Sequence, residues 1–226
     1  ILHATLRGTP PVSGAWRDGD HPGDRAFSQL GPFETEHGDA LPHVRLAYES
    51  FGELNSDKSN AILVFHALTG DSHVTGSAGP GHPTTGWWSG IVGPGLALDT
   101  NTWCVITPNV MGGCQGSTGP ASFSPTGREW GSRFPYLTIR DQTRATKMLA
   151  DNLGIERFAA VIGGSMGGMH ALEWAIEYPD ALARLGLIAT SASTSADQLA
   201  GNSLQIEAIT VDPFFARGDY YDHEEG

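Results

Sequence analysis

Five residues, Gly163-Gly164-Ser165-Met166-Gly167, set one serine among glycines where an apolar run stops and a helical pattern starts. They satisfy G-x-S-x-G, the spacing of a nucleophile carried on a sharp strand-to-helix turn. The chemistry this serves is covalent acyl transfer. The Ser165 hydroxyl attacks a carbonyl, and free amides at the helix start stabilise the developing oxyanion. Glycines two before and two after the serine leave room for backbone that a side chain would block. The competing reading is a tight turn built of small residues, or a phosphate-binding turn. A P-loop is excluded in practice, because no Lys-Ser or Lys-Thr pair follows the glycines.

A second stretch, "HALTGDSH" at residues 66–73, also ends an apolar run. In a serine acyl-transfer enzyme the residue after the nucleophile supplies one oxyanion amide, here Met166. The loop after this earlier strand supplies the other, for which Leu68 is the candidate. His66 is tempting as a general base, but its place in that loop suits a loop-organising role. His73 either touches substrate or satisfies the loop. A base and an orienting carboxylate must follow the serine in chain order. His170 lies five residues on, along the helix and pointing away. His223 sits in a polar tail with no strand before it, and Asp180, Asp197, Asp212 and Asp219 follow no suitable strand. A serine without its base is a weak nucleophile, so its Asp and His partners are expected beyond Gly226.

The glycine-rich stretch "NVMGGCQGSTGP", residues 109–120, suits an irregular loop close to the pocket. Asn109, Gln115 and Arg133 are candidates for substrate contact, with loop packing as the alternative. Cys114 lacks a positioned base. Trp87-Trp88 either line a cofactor entrance or form a satellite hydrophobic cluster.

The elements that must position these groups are legible as alternation. Short apolar runs at 60–68, 102–109, 157–164 and 183–190 read as strands buried on both faces. Between the later ones, "TIRDQTRATKMLADNLG" reads as a helix capped by Thr138 and ended by Gly154, with Ile139, Thr143, Thr146 and Leu149 or Ala150 on one face. "MGGMHALEWAIEYPD" reads as a helix with Met169, Leu172, Ala175 and Ile176 on one face, broken at Pro179. Strand-helix alternation predicts an α/β layered domain with a largely parallel sheet. "GPFETEHG" and "HVRLAYESFG" predict an edge hairpin about a Gly-Asp turn. Residues 1–29 read as an irregular arm, 30–192 as the core, and 193–226 as a helix that does not return to a strand.

The chain has 226 residues, 30 of them glycine, and a formal charge of −12. The length suffices for one substantial core. The acidic balance argues against nucleic-acid partners. No apolar run is long enough to span a membrane. Two cysteines make neither a disulfide framework nor a metal site. The first residues lack the pattern of a signal peptide, and a cytoplasmic protein is expected.

With those motifs in place, "YESFGELNSDKSNAILVFHALTGDSH", "TPNVMGGCQGSTGPAS", "FPYLTIRDQTRA" and "GGSMGGMHALEWAIEYPD" resemble the homoserine O-acetyltransferase family, over about residues 30–226. The resemblance implies an α/β-hydrolase fold with a mostly parallel central sheet, truncated in or before its helical lid, with residues 193–226 matching the start of that lid and the remainder of lid and core absent. It implies acetyl transfer from acetyl-CoA to the hydroxyl of L-homoserine for methionine biosynthesis, with no permanently bound cofactor and no metal. It implies a Ser-Asp-His triad with Ser165 as nucleophile, Leu68 and Met166 as oxyanion amides, and a homodimer formed through lid helices. One departure stands out: some members carry a basic residue near the position of Ile206, and this neighbourhood has none. A succinyl donor, a serine acceptor, a serine esterase and a noncatalytic binding protein on the same scaffold remain alternatives.

Overall fold

The computed structural model describes residues 14–221, so His223 and the start of the N-terminal arm lie outside the described residues. Among the described residues, eight strands and three α-helices follow one another. They are β1 (Ala26–Glu34), β2 (Ala40–Phe51), β3 (Ala61–Phe65), β4 (Val92–Gly93), β5 (Leu98–Asp99), β6 (Cys104–Pro108), α1 (Ile139–Asn152), β7 (Ala160–Gly164), α2 (Met166–Glu177), β8 (Leu185–Ile188) and α3 (Ala196–Thr210). Six of the strands form one sheet in the order β1-β2-β6-β3-β7-β8, and β4 pairs with β5 apart from it.

β1 and β2 form the antiparallel edge hairpin expected from the sequence, closed by a Thr35–Asp39 turn. β2 runs antiparallel to β6, and β6, β3, β7 and β8 are mutually parallel. Every residue of β3 and β6 is buried. Successive side chains alternate between faces. Leu63 and Phe65 join Ile106, Phe158 and Trp174 on one side. Ile62 and Val64 join Val74, Val92, Val105 and the Trp87-Trp88 pair on the other. The tryptophans thus form part of a hydrophobic cluster, and Trp87 donates its indole N–H to the Asp71 carbonyl at 3.0 Å.

α1 starts where its cap predicts. Thr138 Oγ1 accepts from the Asp141 N–H, and the Asp141 carboxylate accepts from the Thr138 N–H, both at 3.1 Å. Such a cap contributes about 1 kcal/mol. The other Asp141 oxygen takes the Glu36 N–H at 2.8 Å, which fastens the helix to the hairpin turn. Gly154, at φ 67°, ends the helix. Its inward face is as expected at Thr143, Thr146, Leu149 and Ala150, while Ile139 is only half-buried.

α2 does bring Met169, Leu172 and Ile176 to one face, but that face is not the one it buries. Its buried residues are Gly167, Gly168, His170, Ala171 and Trp174; Ile176 is 61% exposed. Trp174 packs edge-on against Phe158 and Tyr178 and fixes the helix's rotation. The buried face is also set by the small first turn, which must lie flat on backbone. Met169, Leu172 and Ile176 line an open cleft with Ile139 and residues 191–194.

β8 also differs from the expected strand buried on both faces. It is the last strand of the sheet among the described residues, and Leu185, Leu187 and Ile188 are 39–48% exposed. At the other end, β1 begins at Ala26, and residues 14–25 are tied down rather than free. The Trp16 N–H reaches the Cys114 carbonyl at 2.9 Å, and Arg25 reaches the Gly81 carbonyl at 2.7 Å. Ser195 caps α3, none of whose residues is buried. Among the described residues no helix is long and apolar enough to cross a membrane.

Candidate active site

β3 and β7 lie side by side with Phe65 opposite Gly163, so both deliver their following loops to the same carboxyl edge of the sheet. Ser165 follows β7 with φ 53° and ψ −122°, a backbone shape that is strained for any residue but glycine. Two hydrogen-bonding groups of its backbone are held. The N–H donates to the Ile188 carbonyl at 3.0 Å. The carbonyl accepts from Gly168 N–H at 3.0 Å, Met169 N–H at 3.3 Å and Thr190 Oγ1 at 2.8 Å. The side chain is exposed and makes no capping hydrogen bond, which leaves Oγ open at the helix start.

The glycines around it have distinct reasons. A Cβ at Gly163 would overlap the Gly167 carbonyl, and one at Gly167 would overlap the Phe65 carbonyl. A Cβ at Gly168 would lie 2.5 Å from Thr190 Cγ2. Gly164 is different: its nearest neighbour would be the Ile188 carbonyl at 3.8 Å.

The two proposed oxyanion amides belong to adjoining pieces. α2 begins at Met166, and its first turn abuts the Phe65 and His66 carbonyls, where the Leu68 loop starts. That loop turns through a Gly70 N–H to Ala67 carbonyl bond of 2.9 Å, and Leu68 is 69% exposed. Among the described residues neither the Leu68 nor the Met166 N–H donates to a backbone carbonyl outside the regular elements. The helix start adds its positive partial charge.

His66 is buried with both ring nitrogens engaged. Nε2 accepts from the Val110 N–H at 3.1 Å, so Nδ1 carries the proton and donates to the Ala67 carbonyl at 2.7 Å. This ring organises two loops and has no lone pair for Ser165. His170 is likewise enclosed, with Nδ1 2.9 Å from the Met166 carbonyl and Nε2 2.5 Å from Gln142 Oε1. His73 is buried against Glu49. The later carboxylates have local work: Asp212 accepts from the Phe214 N–H, Asp219 pairs with Arg133 at 2.9 Å, and Asp197 lies in the first turn of α3.

Of the three candidate substrate contacts, Gln115 and Arg133 are engaged through their side chains, whereas the buried Asn109 Nδ2 has no hydrogen-bond partner among the described residues. Asn109 is buried, and its carbonyl accepts from Ser117 Oγ at 2.5 Å. Gln115 Oε1 accepts from Arg25 at 3.0 Å. Arg133 also holds the Glu129 carbonyl at 2.8 Å. Cys104 is buried and Cys114 exposed, both as free thiols.

Sequence reasoning passed over a second polar group. Glu49, on β2, accepts from Ser72 Oγ at 2.7 Å and from His73 Nδ1 at 3.0 Å, and lies 3.7 Å from His82 Nε2. No spacing links residues 49, 72, 73 and 82, so nothing in the sequence marks them as neighbours. Three such ligands suggest a metal centre, but the rings oppose it. The two imidazoles stack at 3.8 Å with 11° between their planes, so their in-plane lone pairs cannot meet at one ion. His82 Nε2 already takes the Asp24 N–H at 3.1 Å. Burial holds His82 below its ordinary pKa and the Arg25 charge adds to this, while Glu49 pulls upward.

Burial also lowers the pKa of His66, and that of His170 to about 4. Below about pH 6.5 the unfolded chain therefore binds protons that the folded chain refuses. Stability is present above that pH and is lost as pH falls toward 4. His170 alone contributes a loss of up to about 3 kcal/mol over that window. Urea unfolding midpoints of the full-length protein should fall between pH 7.5 and 5; a flat profile would contradict the buried neutral rings.

Residues 60–226 match the family described as the alpha/beta hydrolase fold. A homoserine O-acetyltransferase of Clavibacter michiganensis subsp. michiganensis is 59% identical over 222 residues, which is 98% of this chain and 57% of the relative. Among solved structures, the homoserine O-acetyltransferase from Bacillus anthracis is similar with TM-score 0.80 and 34% identity, over 88% of this chain and 55% of that one. An acetylester hydrolase from Corynebacterium glutamicum follows with TM-score 0.78 and 30% identity, over 89% and 54%. The chain spans a little over half the length of these relatives.

Proposed function

We propose that this chain, which belongs to the alpha/beta-hydrolase fold family, carries the nucleophile of an acyltransferase that moves an acetyl group from acetyl-CoA to the hydroxyl of L-homoserine. The observation that carries the reading is Ser165, exposed on a strained elbow at the start of α2. The 59% identical homoserine O-acetyltransferase supports the substrate pair.

In this reading Ser165 Oγ attacks the thioester carbonyl, and the amides of Leu68 and Met166 hold the oxyanion. Collapse expels the CoA thiolate, which takes up the proton removed from Ser165, and leaves an acetyl-serine. The homoserine hydroxyl then attacks that ester and gives its proton to the base, which passes it to the departing Ser165 Oγ as O-acetyl-L-homoserine is released. His66 and His170 have their ring nitrogens engaged within the fold, so neither of these two rings serves as the base in this reading. The exposed apolar side chains of α3, Leu199, Leu204, Ile206 and Ile209, support a dimer through lid helices.

The second reading is an esterase, in which water takes the place of homoserine. The similarity to an acetylester hydrolase favours keeping it. A panel of acetyl-CoA and succinyl-CoA against homoserine, serine and water, read by product mass, separates them. The expected product is O-acetylhomoserine. Transfer from succinyl-CoA alone, or CoA release without an acylated acceptor, would overturn the assignment.

A further inference from the structure

Ser165 is not the only strained residue beside the elbow. Ala189, immediately after β8, has φ 47°, a left-handed shape that a non-glycine residue rarely adopts. That turn delivers Thr190 onto the first turn of α2. The Thr190 hydroxyl donates to the Ser165 carbonyl at 2.8 Å, the shortest of the three hydrogen bonds that carbonyl accepts. Its methyl group occupies the space a Cβ on Gly168 would need. A larger residue at 168 would push Thr190 off the turn.

The Ser165 carbonyl and the Met166 N–H are two ends of one planar peptide. A hydrogen bond accepted at the oxygen draws electron density toward it and makes the N–H a stronger donor. It also fixes the plane, and so the direction in which the N–H points. β8 and the turn after it thereby hold this corner twice: Ile188 takes the Ser165 N–H, and Thr190 grips the next peptide through its oxygen.

We propose that Thr190 is a positioning residue for the oxyanion hole, acting through the Ser165–Met166 peptide. The proposal rests on the reading of Ser165 as the nucleophile, and of Met166 N–H as an oxyanion donor. It does not depend on which acyl acceptor the enzyme uses.

The test uses the full-length protein and p-nitrophenyl acetate, whose acetyl group reports acylation whatever the natural acceptor. Thr190→Val keeps the shape and removes the donor; Thr190→Ser keeps the donor. Thr190→Val should lower the acylation rate about 3- to 10-fold, as loss of one neutral hydrogen bond implies. KM should stay within about two-fold. A simple boronic acid, which places an oxygen where the oxyanion forms, should bind more weakly by a similar factor. Thr190→Ser should recover most of both. If Thr190→Val does not fold, Thr190→Ala with the same two readouts replaces it. An unchanged acylation rate in a folded donor-less variant overturns the proposal. So does a loss confined to KM, unaltered boronate binding, or an equal loss in Thr190→Ser. A wild-type enzyme that acylates from the ester yet ignores homoserine would sink the substrate reading and leave this one standing. A wild-type enzyme unlabelled at Ser165 would sink the nucleophile itself.

Discussion

Ser165→Ala in the full-length protein should abolish acetyl transfer and ester cleavage together, by at least about 10⁴-fold, while the protein stays folded. The two halves of this expectation come from different observations. The activity loss follows because an alanine offers no oxygen to the acyl group, and an oxyanion hole alone gives only residual catalysis. The retained fold follows because the Ser165 side chain is exposed and makes no capping hydrogen bond. The backbone strain at φ 53° is borne equally by serine and alanine, so the substitution adds no new cost in the folded state. Thermal melting within about 2 °C of wild type, with turnover lost, is the expected pair. Undiminished turnover would remove Ser165 from the mechanism. A collapse in melting temperature would show that the hydroxyl has a structural partner.

The elbow was legible because its constraint is local. β7, α2 and the glycines at their junction lie within residues 160–177, and Gly163 and Gly167 are each required by a clash with the Gly167 carbonyl or with the end of the adjacent strand. The Thr138 cap was legible for the same reason, since a side chain three residues from its amide partner needs no knowledge of the fold. The rotation of α2 was not. Trp174 faces inward because Phe158 and Tyr178 are there to meet it, and a helical wheel with Met169, Leu172 and Ile176 on one side cannot see them. The grip of Thr190 on the Ser165 carbonyl joins residues 25 apart through a turn at Ala189. The sequence there, "LIATSAS", carries no glycine to announce a left-handed residue. Glu49, Ser72, His73 and His82 meet only after the loops that follow β3 fold back over β2. Their neighbourhood is tertiary from the start, and their residue types alone point wrongly to a metal.

The four glycines at the elbow look interchangeable in sequence, and the structure predicts that they are not. Gly163→Ala and Gly167→Ala each put a methyl group into a backbone carbonyl. Backbone cannot rotate aside as a long side chain can, so α2 would have to lift from β3 or the turn would have to reshape. Overpacking of this kind costs about 1–3 kcal/mol where neighbours can shift and more where they cannot. For these two positions the expected loss is about 4 kcal/mol or greater, with turnover down at least about 100-fold, because the same movement misaims Ser165 and Met166. Gly164→Ala meets nothing nearer than 3.8 Å and its φ is not in the left-handed region. Its stability should change by less than about 1 kcal/mol, and upward if the unfolded chain's loss of freedom dominates. The measurement is the urea midpoint and turnover of the three single variants side by side. Comparable damage from all three would mean that the motif's glycines serve general flexibility. Damage at 163 and 167 with Gly164→Ala near wild type would show that the elbow is set by contact between α2 and the ends of β3 and β7. That contact is what holds Oγ and the Met166 amide in one place before any substrate arrives.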